Sequence, residues 1–164
     1  MALTIDITKA PIDADFQKQR LANPQAGALV TFEGWVRNHN EGRSVAALAY
    51  ECYEALARSE GLQVLQETAQ RYALLDAACI HRVGPLEIGE MAVWVGVVAP
   101  HREAAFMGCK AIIDQIKVRL PIWKQEWYTD GSVAWVNCRQ CARHHHDDHH
   151  HHHPQKDPVY VPSA

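Results

Sequence analysis

The chain has 164 residues, a formal net charge of −3 with neutral histidines, 48% hydrophobic residues and five cysteines. That length suits one domain with a real core, and the acidic balance argues against nucleic acid as a general partner. No apolar run approaches a membrane span, and no secretory signal is visible. A cytoplasmic protein with reduced thiols is therefore expected.

Residues 3–8 (LTIDIT) alternate as a short strand, and a short helix follows at about 13–21, ended by Asn23-Pro24. Residues 26–37 (AGALVTFEGWVR) predict a strand with Val30, Phe32 and Val36 on one face. The polar loop 38–44 precedes a second strand at 45–53, and the two strands are expected to pair as a hairpin. From 54 to 72 the period becomes helical, with Leu62, Leu65, Ala69 and Tyr72 on one stripe. Residues 77–84 predict a strand ended by Gly84-Pro85, and the almost continuously apolar 91–99 (MAVWVGVVA) suits a strand covered on both faces. A long helix spans 102–119, with Phe106, Cys109, Ile113, Ile116 and Leu120 along its stripe, and Pro121 stops it. Two short strands, IWKQEWY and SVAWV, flank the turn 129–131. The mixed order predicts an α+β fold. After Val136 the composition turns His-rich, then Pro-rich, so the domain is placed at 1–138 and residues 139–164 are expected to be a disordered tail.

Lys117 and Lys124 bracket the apolar segment Leu-Pro-Ile-Trp, which reads as core. Lys117 lies about 70° from the centre of its helix's apolar stripe, a border position from which a packed stem can reach outward. Lys124 shares its strand face with Ile122, Glu126 and Tyr128, and Pro121 could turn it back toward Lys117. Residue types alone leave a plainer alternative: Lys117 as a favourable charge at a helix C-terminus and Lys124 as a partner of Glu126. Arg37, His81-Arg82 and His101-Arg102 are three further basic spots. His101-Arg102 opens a helix, where free N–H groups and the positive dipole end suit an anion. Together these spots suggest a cationic pocket in an acidic protein.

Cys138-x-x-Cys141 and His144, the first of the tail's histidines, have metal-ligand chemistry but make an incomplete zinc signature. They are weak metal candidates, and no resident metal or cofactor is expected. Cys52, Cys79 and Cys109 lie in apolar patterns and are expected in the core. No Gly-rich nucleotide fingerprint, Walker loop, HExxH or GxSxG is present.

FEGWVRNHNEG (32–42), LAYECYEALA (48–57), IHRVGPLEIGE (80–90), HREAAF (101–106) and IDQIKVRLPIWKQE (113–126) occur in an order that closely resembles the large, catalytic subunit of molybdopterin synthase. The resemblance covers about residues 3–136 and leaves the tail outside. It implies an α/β hammerhead with an additional antiparallel β subdomain. It implies conversion of cyclic pyranopterin monophosphate to molybdopterin, with sulfur from the C-terminal Gly-Gly thiocarboxylate of a small ubiquitin-like subunit. It further implies a homodimer of large subunits within a heterotetramer. By position, Lys117 and Lys124 match the family's catalytic lysines. Trp35, Val36, Arg37, His101, Arg102, Gln125 and Glu126 match its substrate-binding positions. The alternatives are a non-catalytic subunit that docks an acidic protein tail and a metal-handling protein that uses the Cys/His-rich tail.

Overall fold

The structure, a computed structural model, describes residues 1–137. The expected domain end at 138, the tail 139–164 and the metal candidates Cys138, Cys141 and His144 lie outside the described residues. The elements run β1 (Thr4–Thr8), α1 (Ala14–Arg20), β2 (Ala28–Trp35), β3 (His39–Asn40), β4 (Arg43–Cys52), α2 (Glu54–Tyr72), β5 (Asp76–Arg82), β6 (Gly84–Glu87), β7 (Met91–Ala99), α3 (Arg102–Arg119), β8 (Ile122–Tyr128) and β9 (Val133–Asn137).

Two sheets organise them, and the fold is α+β as expected. The first has the order β1-β5-β7-β2, with β1 parallel to β5 and the other pairs antiparallel. β7 is central and is buried along almost its whole length. Its two faces serve two clusters, as the period of two requires. Val93, Val95 and Val97 enter the main core, while Trp94 and Val98 join Leu21, Ala78 and Ile80 on the opposite side. α2 and α3 pack against each other and cover the main-core face, with α2 on β1 and β5 and α3 on β2 and β7. The second sheet is antiparallel, in the order β3-β4-β8-β9, with β6 also paired to β4. The main core is continuous across the seam, since Leu48, Tyr50, Leu86 and Ile122 of the second sheet belong to it. This is the hammerhead layer with its additional antiparallel subdomain.

The expected hairpin between 26–37 and 45–53 does not form. β2 pairs with β7 over Ala28 to Trp35, and β4 pairs instead with β3, β6 and β8. The tight hairpin is β3–β4, turned by Glu41 and Gly42, both at positive φ. Valine-rich β7 offers β2 an eight-residue antiparallel edge, and non-local pairing overrides sequence adjacency.

Helix ends follow from local chemistry. Asp13 caps α1 by accepting from the Phe16 amide at 3.0 Å. α3 begins at His101 with no side-chain cap, and it ends at Leu120, whose extended backbone is what a following proline imposes.

Candidate functional site

Lys117 is half-buried in the last turn of α3. Three residues on, the chain leaves the helix at Leu120, and Pro121 hands it to β8. Leu120 and Ile122 are buried, and the Pro121 carbonyl accepts from the Tyr53 amide at 3.1 Å, which ties the junction to the end of β4. Trp123 departs from the expectation of core. It is exposed on the outer face of β8, because the strand alternates and Ile122 takes the inner position.

The inner face of β8 continues through Lys124, Glu126 and Tyr128. The Lys124 side chain is 13% exposed, and its Nζ lies 2.8 Å from Oε1 of Glu126, which is 1% exposed. Asn40 Nδ2 donates to both carboxylate oxygens at 3.0 and 3.2 Å. Burial alone would raise the Glu126 pKa. The Lys124 hydrogen bond and charge, with hydrogen bonds from Tyr128 and Asn40, outweigh it and hold the carboxylate below its usual range. Burial and then the Glu126 carboxylate push the Tyr128 phenol up to about 12. The Arg43 guanidinium stacks 3.5 Å above the Tyr128 ring and pairs with Asp130.

Two residues of the sheets, Tyr50 and the basic-spot candidate His81, meet beside this strand. Tyr50 of β4 stands directly opposite Lys124 in the β4–β8 register. Its ring meets the His81 ring edge-on, with centroids 5.0 Å apart and planes at 83°. His81 sits on β5 at 2% exposure, with Nδ1 2.7 Å from the Arg82 carbonyl oxygen. Burial first, and then the Lys117 charge, lower its pKa to about 3. The Lys117 charge also reaches Cys79, two residues earlier on the same strand face. Lys124 thus stands in register with one member of a buried ring pair at the seam of the sheets, and the charge of Lys117 acts on the other member.

The remaining site candidates fall into three groups. Glu126 lies with Lys124 but is fully engaged by protein partners. Gln125 points to the opposite face of β8, so it and Lys124 cannot line one cleft from a single strand. At the end of β2, Val36 is buried and both its backbone groups are bonded, its N–H to Glu90 O at 2.9 Å and its carbonyl to Gly89 N–H at 2.8 Å. Val36 thus anchors its neighbours: Trp35, 64% exposed with its indole N–H on Glu33 at 3.0 Å, and exposed Arg37. His101 and Arg102 are exposed at the far end of α3. At ~1.5 Å per residue, the helix holds Arg102 and Lys117 about 22 Å apart.

The cationic pocket expected from all the basic spots together is accordingly not a feature of one chain. His81 is buried and neutral. Arg82 is nearly buried, paired with Glu90 at 3.2 Å and donating to the Lys9 carbonyl at 3.1 Å. Cys79 and Cys109 are buried and Cys52 is half-buried, as the apolar pattern implied. Among the described residues, no group of three or more His, Cys, Asp or Glu side chains could hold a metal ion.

Fold and site define a class: an α+β protein of two sheets with a lysine at a helix end, a second lysine on the strand that follows it, and a buried ring pair at the sheet–sheet seam. The chain belongs to the MoaE protein family, whose model matches residues 7–119. It is 40% identical over 131 residues to a protein of Thermoplasma volcanium named molybdopterin synthase catalytic subunit, spanning 80% of this chain and 96% of that one. A solved structure of molybdopterin synthase from Staphylococcus aureus superimposes with a TM-score of 0.75 at 32% identity, covering 79% of this chain and 94% of that chain. A complex of subunits 1 and 2 of molybdopterin-converting factor from Helicobacter pylori has a TM-score of 0.63, covering 77% and 86% of the two chains. At 21% identity that likeness concerns the fold alone. Among the described residues, no helix is long and apolar enough to cross a membrane.

Proposed function

We propose that this chain is the catalytic subunit of a molybdopterin synthase, a cytoplasmic sulfurtransferase acting on cyclic pyranopterin monophosphate. The observation that carries the reading is the approach of Lys117 and Lys124 to one buried seam. An isolated surface lysine does not need a carboxylate at 1% exposure to set its position, as Glu126 does for Lys124.

The reaction needs attack by a thiocarboxylate sulfur on an electrophilic pterin side-chain carbon with opening of the cyclic phosphate. Hydrolysis of the resulting acyl–sulfur link follows. Lys117, half-exposed at the helix end, is the group that meets the reacting centre: its ammonium stabilises the oxyanion that develops at the acyl carbon and supplies a proton. Lys124 is a fixed charge, held by Glu126, that assists in binding the anionic groups. Arg37 and Trp35 are exposed beside this end of the molecule and contact the pterin. The sulfur donor is the C-terminal Gly-Gly thiocarboxylate of a small ubiquitin-like subunit.

His101 and Arg102 add an uncapped helix N-terminus to two basic side chains, which suits phosphate. Their distance from Lys117 means that they serve the same substrate only when a second copy of the chain brings them there. This is the use of a homodimer within the heterotetramer.

The test is to supply cyclic pyranopterin monophosphate with thiocarboxylated small subunit and follow dithiolene product. Lys117→Ala is expected to lower turnover by more than about tenfold, or ~1.4 kcal/mol. A smaller fall removes Lys117 from the reacting centre. A chain that only docks the small subunit's tail would instead lose binding with no separate loss of turnover.

A further inference from the structure

We propose that Asn40 is a positioning residue: its side-chain amide clamps the Glu126 carboxylate on which Lys124 rests, and so fixes where the Lys124 charge stands. The proposal rests on the reading of Lys124 as a charge that assists in binding the anionic groups, and its test below can fail independently of that reading.

Asn40 reaches Glu126 across a strand. It belongs to β3, Glu126 belongs to β8, and β4 lies between them in the sheet. In register, Asn40 stands opposite Arg43 of β4, whereas Glu126 stands opposite Leu48. A straight β4 would set those two positions about 17 Å apart. Yet Asn40 Nδ2 lies 3.0 Å from one Glu126 carboxylate oxygen and 3.2 Å from the other. The β4–β8 register shifts between Val45 and Ala47, the kind of irregularity at which a strand bends. The β3–β4 hairpin thus folds back over the inner face of β8. There Arg43 covers Tyr128, Asn40 meets Glu126, and Lys124 is next along the same face.

The hairpin does not need Asn40 to stay docked. Arg43 stacks on the Tyr128 ring and pairs with Asp130 at 3.6 Å, and the Ser44 carbonyl accepts from the Thr129 amide at 3.0 Å. The Asn40 bonds therefore act on Glu126. A carboxylate at 1% exposure has to be met by donors if it is to stay charged. A second cation at position 40 would compete with Lys124 for that charge. A neutral amide fixes both oxygens and leaves the charge to Lys124. Glu126 takes one N–H of the Lys124 ammonium at 2.8 Å, and the others are left to meet an anion. The same contact closes the segment that carries Arg37, since Val36 is anchored by both backbone groups at one end and Asn40 by its side chain at the other.

The measurement is the rate of Lys124 acylation by a small amine-reactive ester at one fixed pH. It is read by peptide mass spectrometry on the full chain without substrate, as a ratio to exposed Lys9. Asn40→Leu keeps the size of the side chain and removes its donors. It is expected to loosen Glu126, and Lys124 with it, and to raise the ratio about fivefold, the worth of one hydrogen bond of ordinary net strength. Asn40→Gln, which restores a donor, is expected to return most of that rise. In turnover with thiocarboxylated small subunit, Asn40→Leu is expected to raise KM for cyclic pyranopterin monophosphate about fivefold at nearly constant kcat. A purely structural role predicts the opposite split, a kcat lowered with the folded fraction at constant KM. A folded Asn40→Leu protein whose acylation ratio equals that of the parent, or falls below it, overturns the proposal. Should Asn40→Leu fail to fold, Asn40→Ala decides on the same terms. If the ratio rises while Lys124→Ala keeps the parent KM, the binding reading of Lys124 fails and the positioning stands. If Lys124→Ala raises KM while the Asn40→Leu ratio does not move, the reverse holds.

Discussion

Lys124 and Glu126 present a problem of interpretation that any substitution at position 124 will meet. Glu126 is 1% exposed and carries its charge only because Lys124, Asn40 and Tyr128 surround it. Removing the lysine leaves a buried, uncompensated carboxylate, a change that costs about 3–5 kcal/mol. Lys124→Met is therefore expected to lose stability as well as turnover, and the pairing with Glu126→Gln separates the two. The double variant should regain most of the denaturation midpoint in urea while remaining slow. The sign of the pH dependence follows from the depressed Glu126 pKa. Its stabilising contribution is complete above the unfolded value near 4.5 and is lost as pH falls through the lower folded value. Glu126→Gln should accordingly flatten the acid limb of stability measured by thermal melts, and a parent-like limb would discount the pair. The buried thiols make a second residue-scale case. Cys79 at about 12 and Cys109 at about 11 should resist an aromatic disulfide reagent at neutral pH in the native state and react only on unfolding. Of these residues, Lys117, Lys124 and Glu126 were legible in the sequence because alternation and helical period assign faces. His81 was singled out only as a basic spot and its meeting with Tyr50 was not legible, because it depends on two strands from different sheets, and period-two patterning says nothing of which sheet a strand joins.

At the scale of elements, the same limitation explains the one wrong pairing. α2, α3, β7 and β8 were legible because each is long or bounded by proline or glycine. The partner of β2 was not, since 26–37 and 45–53 are adjacent in sequence and both read as strands. The structure separates them because β7 pairs with β2 on one side and β5 on the other, whereas β4 is needed at the centre of the second sheet. Gly27 is the point where this choice is enforced. Its N–H bonds the Ala99 carbonyl at 3.1 Å, and a Cβ there would lie 2.2 Å from the Pro100 carbonyl oxygen. That oxygen is backbone and immediately precedes His101, the residue that starts α3. Gly27→Ala must push β2 from the end of β7 or displace the start of α3. It is expected to cost about 1–3 kcal/mol in denaturant titration. It is also expected to disturb the proposed phosphate site at His101 and Arg102, read as weaker binding of inorganic phosphate than in the parent. Unchanged stability would mean that the β2–β7 junction is not close-packed.

For the whole molecule, α3 sets the decisive length. His101 and Arg102 begin it, Lys117 is in its last turn, and about 22 Å of helix lies between them. A cyclic phosphate on a pterin is far shorter than that, so one substrate cannot touch both ends of the same helix. Either the two ends serve different ligands, or a twofold dimer sets the start of one α3 beside the end of the other. Hybrid dimers distinguish these arrangements. One chain carries Lys117→Ala, its partner carries Arg102→Ala, and the hybrid is purified through two different affinity handles. If the site is shared, one of the two sites combines the intact Lys117 of one chain with the intact Arg102 of the other. The hybrid should then show about half the parent turnover, although each variant homodimer is nearly inactive. If the site is built within one chain, every site in the hybrid carries a defect and turnover stays at the level of the variants. The measurement bears on more than stoichiometry: recovery would mean that a chain of net charge −3 contributes to a cationic pocket which exists only in the assembly.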